Sequence, residues 1–239
     1  MAADKKYSIS AFFPVYNDWG TIPSMVLLVN SVLEKVASEY EIILVDDGSK
    51  PMTKKVLEEL AKKMDRVRII THEKNKGYGG ALKSGFYNAK YELIFYTDGD
   101  AQYNPLELPL LLEKFSDDMD IVNGYKISRS DPVYRKIIGR MYHYTTRMMF
   151  GFKIRDVDCD FRLIRKSVFD DLKLEYNSGV VCVEMVARMT KKNFRFAEVP
   201  VHHYYRVSGK SEFFNFKRIF KVGKNLLKLW YKIRIKKIY

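Results

Sequence analysis

Short runs rich in β-branched and aromatic residues, each followed by a longer stretch with helical spacing, recur through the first half of this chain. That alternation leaves few folds open. Successive strands joined by helices pair in parallel, with helices covering both faces of the sheet. Ser8–Pro14, Glu41–Val45, Val67–Thr71, Leu93–Thr97 and Ile121–Asn123 read as strands. Helices are expected from about Pro23 to Ser38, after Ser49 as an N-cap, from the turn Asn75–Gly80 to near Ala89, and from Asn104-Pro105 onward. The second half is less regular, with helical patterns over Tyr134–Phe150 and Val180–Lys191 and a strand over Phe194–Val201. At 239 residues the chain is long enough to bury a substantial core, and it contains no internal repeat or low-complexity linker.

In open α/β sheets, ligands bind beyond the carboxyl ends of the strands. Here those ends are acidic. The first strand runs into Pro14-Val15-Tyr16-Asn17-Asp18, the second into Asp46-Asp47-Gly48-Ser49, and the fourth into Asp98-Gly99-Asp100-Ala101-Gln102. One acidic end reads as a turn or a cap; three from one sheet read as a shared pocket. Asp98 and Asp100 can meet one hard divalent cation. Mg²⁺ is usually held by one or two carboxylates plus substrate phosphates, so the expected partner is a metal-chelated diphosphate. The run Asn75-Lys76-Gly77-Tyr78-Gly79-Gly80 is expected to let backbone approach a ligand. It is neither a P-loop nor a dinucleotide fingerprint, because Leu82 takes the third glycine position.

The net charge of +13 is unevenly spread. From Phe213 to Tyr239 there are nine basic residues and no acidic one, which leaves 33 basic against 29 acidic residues elsewhere. A near-neutral body argues against a broad nucleic-acid-binding face. Phe216, Ile219, Phe220, Leu226, Leu227, Trp230 and Ile233 recur at helical spacing, with Lys217, Lys221, Lys224, Lys228 and Lys232 on another face. The expected division is therefore a catalytic domain over 1–212 and a basic amphipathic helix over 213–239, lying in an anionic membrane interface. The competing expectation is a helix packed on the domain with a solvated basic face. Cys159 and Cys182 form no disulfide framework or metal spacing and suit a reducing compartment, and no apolar run is long enough to span a bilayer. These features place the protein in the cytoplasm, peripheral on the inner face of a membrane.

The four segments Phe13–Asp18, Val45–Ser49, Asn75–Ala81 and Asp98–Gln102 stand in the order and spacing of family 2 glycosyltransferases with the GT-A fold, and the resemblance extends over about residues 7–211. Within that family the chain resembles the dolichol-phosphate mannosyltransferase and polyprenyl-phosphate glycosyltransferase branch, through Asp156–Leu163 and through Glu198–Val201 followed by Arg206, Gly209 and Ser211. The resemblance implies an inverting, metal-dependent transfer of a sugar from a UDP- or GDP-sugar to a polyprenyl phosphate, with Mg²⁺ or Mn²⁺. It implies that Pro14, Tyr16 and Asp18 line the nucleotide pocket, and that Asp46 and Asp47 contact base and ribose. It further places Lys76 and Asp98 against the nucleotide, Asp100 on the metal with Asp98 nearby, and Gln102 beside the sugar phosphate. Arg135 and Arg206 would hold phosphate, as guanidinium forks do. Lys126, near a common Arg position, is carried over with them.

Asp158, Asp160 and Glu184 remain as acidic candidates on the acceptor side. A hydroxyl acceptor would need one of them as a general base, whereas an ionised lipid phosphate would need only orientation. Three classes stay in view: transfer to a polyprenyl phosphate, transfer to a soluble glycan or surface polysaccharide (or a nucleotidyl transfer on similar strand ends), and a non-enzymatic module binding membrane or nucleic acid. The last leaves the acidic strand ends unused.

Overall fold

The computed structural model describes residues 7–129, 133–206 and 216–238. In chain order the strands are β1 (Ile9–Val15), β2 (Tyr40–Asp46), β3 (Val67–Thr71), β4 (Leu93–Thr97), β5 (Ile121–Arg129), β6 (Phe161–Arg165) and β7 (Phe196–His203). The helices are α1 (Ile22–Val36), α2 (Pro51–Lys63), α3 (Tyr78–Asn88), α4 (Leu108–Lys114), α5 (Val133–Phe150), α6 (Val168–Asp171), α7 (Val180–Lys191) and α8 (Phe216–Trp230). The strands form one seven-stranded sheet in the order β3-β2-β1-β4-β6-β5-β7. Every pairing is parallel except those of β6, which runs against both β4 and β5. The expected α/β sheet is therefore observed, with one reversed strand.

β1, β2 and β4 are apolar nearly throughout because both faces of the sheet are covered. Alternate residues of one strand serve opposite cores. Phe13, Leu44 and Phe95 pack with Met25, Val26 and Leu33 of α1. Phe12, Ile43 and Tyr96 pack with Leu82 and Phe86 of α3 and with Val181 and Met185 of α7. The strand order reverses direction at β1 and β4, which opens the crevice where such sheets bind ligands.

Three local expectations need correction. Ser49 does not cap α2: the N-cap is Lys50, without a side-chain cap, while the Ser49 N–H donates to Asp46 at 2.8 Å. β5 continues to Arg129, well past Asn123, because β7 pairs along its length. Phe161–Arg165 is a strand, although no strand was expected across or beyond Asp156–Leu163 before the helix at Val180.

The C-terminal helix packs on the domain. Leu226, Leu229 and Ile233 are buried in one cluster with Phe150, Phe152, Val180 and Val183. Arg188 and Lys232 both pair with Glu175. The apolar residues of this helix nonetheless divide between two faces, since Phe220 and Leu227 are exposed. The residues after Arg206 and before Phe216, including Gly209, Ser211 and Glu212, lie outside the described residues, as do the side chains of Phe216, Lys217 and Ile219. No helix among the described residues is long and apolar enough to cross a membrane.

Candidate active site

The loops that follow β1, β2 and β4 are tied to one another before any ligand is considered. The Asp47 N–H donates to the Val15 carbonyl at 2.9 Å, and the Asn17 N–H to Ser49 Oγ at 3.1 Å. Asn17 returns a bond by accepting from the Lys50 N–H at 2.9 Å. Thr21 Oγ1, at the start of α1, donates to the Gly99 carbonyl at 2.7 Å, so the first loop is fixed to the Asp98–Asp100 turn. Gly48 adopts φ +73°, and a Cβ there would lie 2.7 Å from the Asn75 nitrogen; only glycine fits this crossing of two loops.

Asp47 is committed to the protein. Its carboxylate accepts from the N–H groups of Lys76 and Gly77 at 2.8 and 2.9 Å and contacts His72 Nδ1 at 2.6 Å. Its place in the site is to hold the Lys76–Gly77 turn, and the expected direct contact with base or ribose finds both oxygens already engaged. Asp46 is buried at the strand end with one oxygen on Ser49, and Pro14 is buried within β1. Tyr16 and Lys76 are exposed on the rim. The glycine run serves protein packing: Gly79 donates to the Asn177 carbonyl at 3.0 Å, and a Cβ on it would meet the Tyr176 oxygen at 2.3 Å. The close approach expected with a ligand is made here by the 176–177 backbone.

Asp18, Asp98, Asp100 and Asp160 gather in the crevice. Burial raises the Asp98 carboxyl well above its ordinary range, reinforced by the Asp160 and Asp100 charges and opposed by the Tyr78 hydroxyl and Arg206. Tyr78 donates to Asp98 at 2.7 Å. Asp100 is raised by burial too, offset by Arg206. It accepts from the Gln102 N–H at 3.0 Å and from Arg206 Nη2 at 2.5 Å. Asp18 accepts from the Tyr16 N–H at 3.0 Å and is raised by burial and by Asp100. Carboxylates crowded this closely gain from a cation between them. No group of three or more His, Cys, Asp or Glu among the described residues could hold a metal ion by itself, and a cation here would need substrate phosphates beside one or two carboxylates. Asp98 and Asp100 fit that part. The Gln102 side chain bonds the Tyr204 carbonyl at 3.1 Å, and the Tyr204 N–H returns to the Gln102 carbonyl at 2.8 Å. Gln102 thus carries Arg206 to Asp100 by pinning the segment before it.

On the acceptor side, Asp160 accepts from the Tyr96 hydroxyl at 3.2 Å and the Cys182 thiol at 3.3 Å. Burial pushes Asp158 up to about 7, moderated by Lys126. Lys126 itself pairs with Asp156 at 3.3 Å and donates to the Asp158 carbonyl at 2.9 Å, with its side chain only 6% exposed. It braces the 156–158 turn, which corrects its expected phosphate role. Glu184 is also removed from the acceptor candidates: fully buried, it accepts from the Glu175 and Tyr176 N–H groups and from Arg188 Nε. Burial pushes the Cys159 thiol up to about 12, as suits a packing residue. His202 is paired with Glu107 at 2.5 Å. The Arg135 side chain lies outside the described residues, on the first turn of α5.

Sequence reasoning missed Tyr78 and Tyr96, whose hydroxyls reach Asp98 and Asp160. The available signal was position: Tyr78 opens α3 inside the glycine run, and Tyr96 stands two residues before Asp98.

A mostly parallel sheet with helices on both faces, and carboxylates gathered where its strand order reverses, is the architecture of the GT-A fold. The chain belongs to glycosyl transferase family 2, whose model matches residues 10–173. Glucosyl-3-phosphoglycerate synthase from Mycobacterium tuberculosis, in complex with phosphoglyceric acid, is similar over 97% of this chain and 81% of its own, at 15% identity and a TM-score of 0.74. The same enzyme in complex with Mn²⁺, UDP and glucosyl-3-phosphoglycerate has a TM-score of 0.73 at 15% identity over the same shares. In complex with Mg²⁺ and UDP it has a TM-score of 0.72 at 14% identity, over 97% of this chain and 80% of that one. At such identity the likeness is one of fold.

Proposed function

We propose that this glycosyltransferase moves a sugar from a nucleoside-diphosphate sugar to a polyprenyl phosphate at the cytoplasmic face of a membrane, with inversion at the anomeric carbon. The observation that carries donor binding is the cluster of Asp18, Asp98, Asp100 and Asp160 at the reversal of strand order. A bound Mg²⁺ or Mn²⁺ would neutralise the diphosphate as it leaves. Asp100 and Asp98 would hold that ion, and Arg206, already against Asp100, stands within reach of the same phosphates. The lipid acceptor is supported by the acid-free helix α8, whose Phe220 and Leu227 are exposed beside its lysines. A phosphate acceptor is ionised near neutral pH, so Asp158 and Asp160 would orient it.

A second reading has its own support. Asp158 is poised at about 7, which suits a general base for a hydroxyl acceptor. The structurally similar synthase has been solved with phosphoglyceric acid, a soluble acceptor. One experiment separates the two. Purified protein is incubated with UDP- and GDP-sugars, with Mn²⁺ or with EDTA, and offered undecaprenyl or dolichyl phosphate in one arm and phosphoglycerate or soluble glycans in the other. The expected result is a β-linked glycolipid from an α-linked donor, detected by mass spectrometry and NMR coupling constants, and abolished by EDTA. Glycosylation only in the soluble arm would replace the lipid reading with the second one. Full activity in EDTA would remove the metal.

A further inference from the structure

Helix α5 has the same chemistry as α8 and was not expected to touch a membrane. Its eighteen residues, Val133–Phe150, carry Arg135, Lys136, Arg140 and Arg147 and no acidic residue. Its inner side is anchored: Phe150 is buried, and Tyr142 and Met149 pack on the cluster that also buries Leu226, Leu229 and Ile233 of the C-terminal segment. Its outer side is apolar. Ile138, Met141, Tyr144 and Met148 follow at three- and four-residue steps and are all exposed, Met148 to 79%. On α8, Phe220, exposed to 78%, and Leu227, seven residues on, are exposed as well. The two regions are joined at their C-terminal ends, where Arg234 Nε donates to the Met149 carbonyl at 3.0 Å. We propose that α5 and α8 form one two-helix platform that inserts Ile138, Met141, Tyr144 and Met148, together with Phe220 and Leu227, into an anionic phospholipid bilayer.

Isolated exposed apolar residues need no explanation, but exposed apolar stripes on two helices that share one buried cluster do. Charge selects the occupant. Arg140 and Arg147 of α5, and Lys221, Lys224 and Lys228 of α8, are exposed, and neither helix carries an acidic residue. A second copy of the chain would bring these like charges together, whereas an anionic bilayer attracts them at roughly 1 kcal/mol for each basic residue near its surface. The apolar stripe supplies the insertion that charge alone does not. The inference deepens the membrane reading of the proposed function. It also gives α5 a position between two environments, since the Tyr142 phenol on its inner side lies near Asp158 on the acceptor side of the site.

The test is flotation of the full chain with vesicles of phosphatidylcholine alone, and with phosphatidylglycerol added, at low and high salt. Wild type is expected to float with the anionic vesicles and to be released by salt. Met141→Glu with Met148→Glu, and separately Phe220→Glu with Leu227→Glu, are each expected to lower partitioning tenfold or more at an unchanged thermal midpoint. A nitroxide label on Met148→Cys should become accessible to oxygen and protected from a polar relaxation agent when vesicles are added. If the α5 pair floated like wild type while the α8 pair did not, α5 would be excluded and α8 would stand alone. Equal flotation with both lipid mixtures would overturn the anionic preference. A dimer in ultracentrifugation, abolished by the α5 pair in protein that ignores vesicles, would assign the stripe to a second copy instead. Vesicle binding without glycolipid formation would keep the platform and remove the polyprenyl acceptor.

Discussion

On the donor side, most carboxylates take backbone N–H groups, with Tyr78 and Arg206 added on Asp98 and Asp100; on the acceptor side, Asp160 is held by side chains from distant elements. Asp18, Asp46 and Asp100 each accept an N–H from two or three residues away, and Asp47 accepts two from the turn that crosses it. Asp160 instead meets Tyr96 from β4 and Cys182 from α7, while the turn around Asp158 is braced by Lys126 from β5. The donor pocket is therefore built into the strand ends themselves. The acceptor pocket exists only once β5, β6 and α7 have docked. A loop-held site is fixed by local spacing, and a docked site by packing at a distance.

The largest effect should come from the donor side. Asp100→Ala removes the carboxylate that both Arg206 and the diphosphate-bound cation would use, and should lower transfer about a thousandfold or more. Circular dichroism should show the fold retained, because this carboxylate sits in the crevice and not in either hydrophobic core. A variant that kept most of its activity would mean that the strand-end carboxylates do not dominate the site.

The seam between the two sides gives the next effect. Gly79→Ala would bring a methyl group to 2.3 Å from the Tyr176 oxygen and 2.9 Å from Asn177 backbone atoms, none of which is a flexible side chain. Alanine gains about 1 kcal/mol of helix propensity over glycine. Overpacking against backbone costs about 1–3 kcal/mol or more and should win. A drop in thermal midpoint of roughly 5 °C is expected, from a net loss of about 2 kcal/mol in a chain of this size. An unchanged midpoint would show that the 176–177 segment yields freely, and that the two sides are less tightly joined than their contact implies.

The smallest effect concerns the acceptor side alone. Folding raises Asp158 from 3.8 to about 7, so the folded state holds this proton more tightly than the unfolded chain. The stability it contributes is complete below pH 3.8 and is lost as pH rises to about 7. Asp158→Asn should therefore stabilise the protein at pH 8 by about 1–2 kcal/mol, discounted for partial exposure, and should add nothing near pH 4. Thermal melts of both proteins at the two pH values test this. Equal stabilisation at both would place its origin outside the titration of Asp158.

The same contrast explains what was legible in the sequence. β1, β2 and β4 were readable because largely apolar runs buried on both faces lead directly into Asp or turn residues, and the short, half-buried β3 was readable from its β-branched run. Phe161–Arg165 was not, because its two arginines disguise a strand. Arg162 is nonetheless 1% exposed, with one nitrogen on the Val157 carbonyl at 2.5 Å and its guanidinium near the Tyr96 ring. Lys126 and Glu184 were misplaced for a related reason. Lys126 pairs with Asp156, thirty residues away, and Glu184 answers a turn that bends back over its own helix. In α8, spacing identified the apolar residues but could not say which would be buried. Contact with α5 and α7 decided that, taking in Leu226 and leaving Leu227 outside.

The reversed strand β6 has a consequence for the order in which the chain can assemble. β3, β2, β1 and β4 are neighbours in the sheet and are complete once Thr97 has been made. The next partner of β4 is β6, which begins only at Phe161, so Leu93–Thr97 must wait for more than sixty further residues. All five residues of that strand are buried in the finished protein, and until β6 arrives they form an open, apolar sheet edge. Such an edge is a template for pairing with another chain. During synthesis at about 5–20 residues per second, it stays uncovered for several seconds at least. Slowing translation across residues 98–160 should therefore increase aggregation of the nascent protein, whereas slowing it after Arg165 should not.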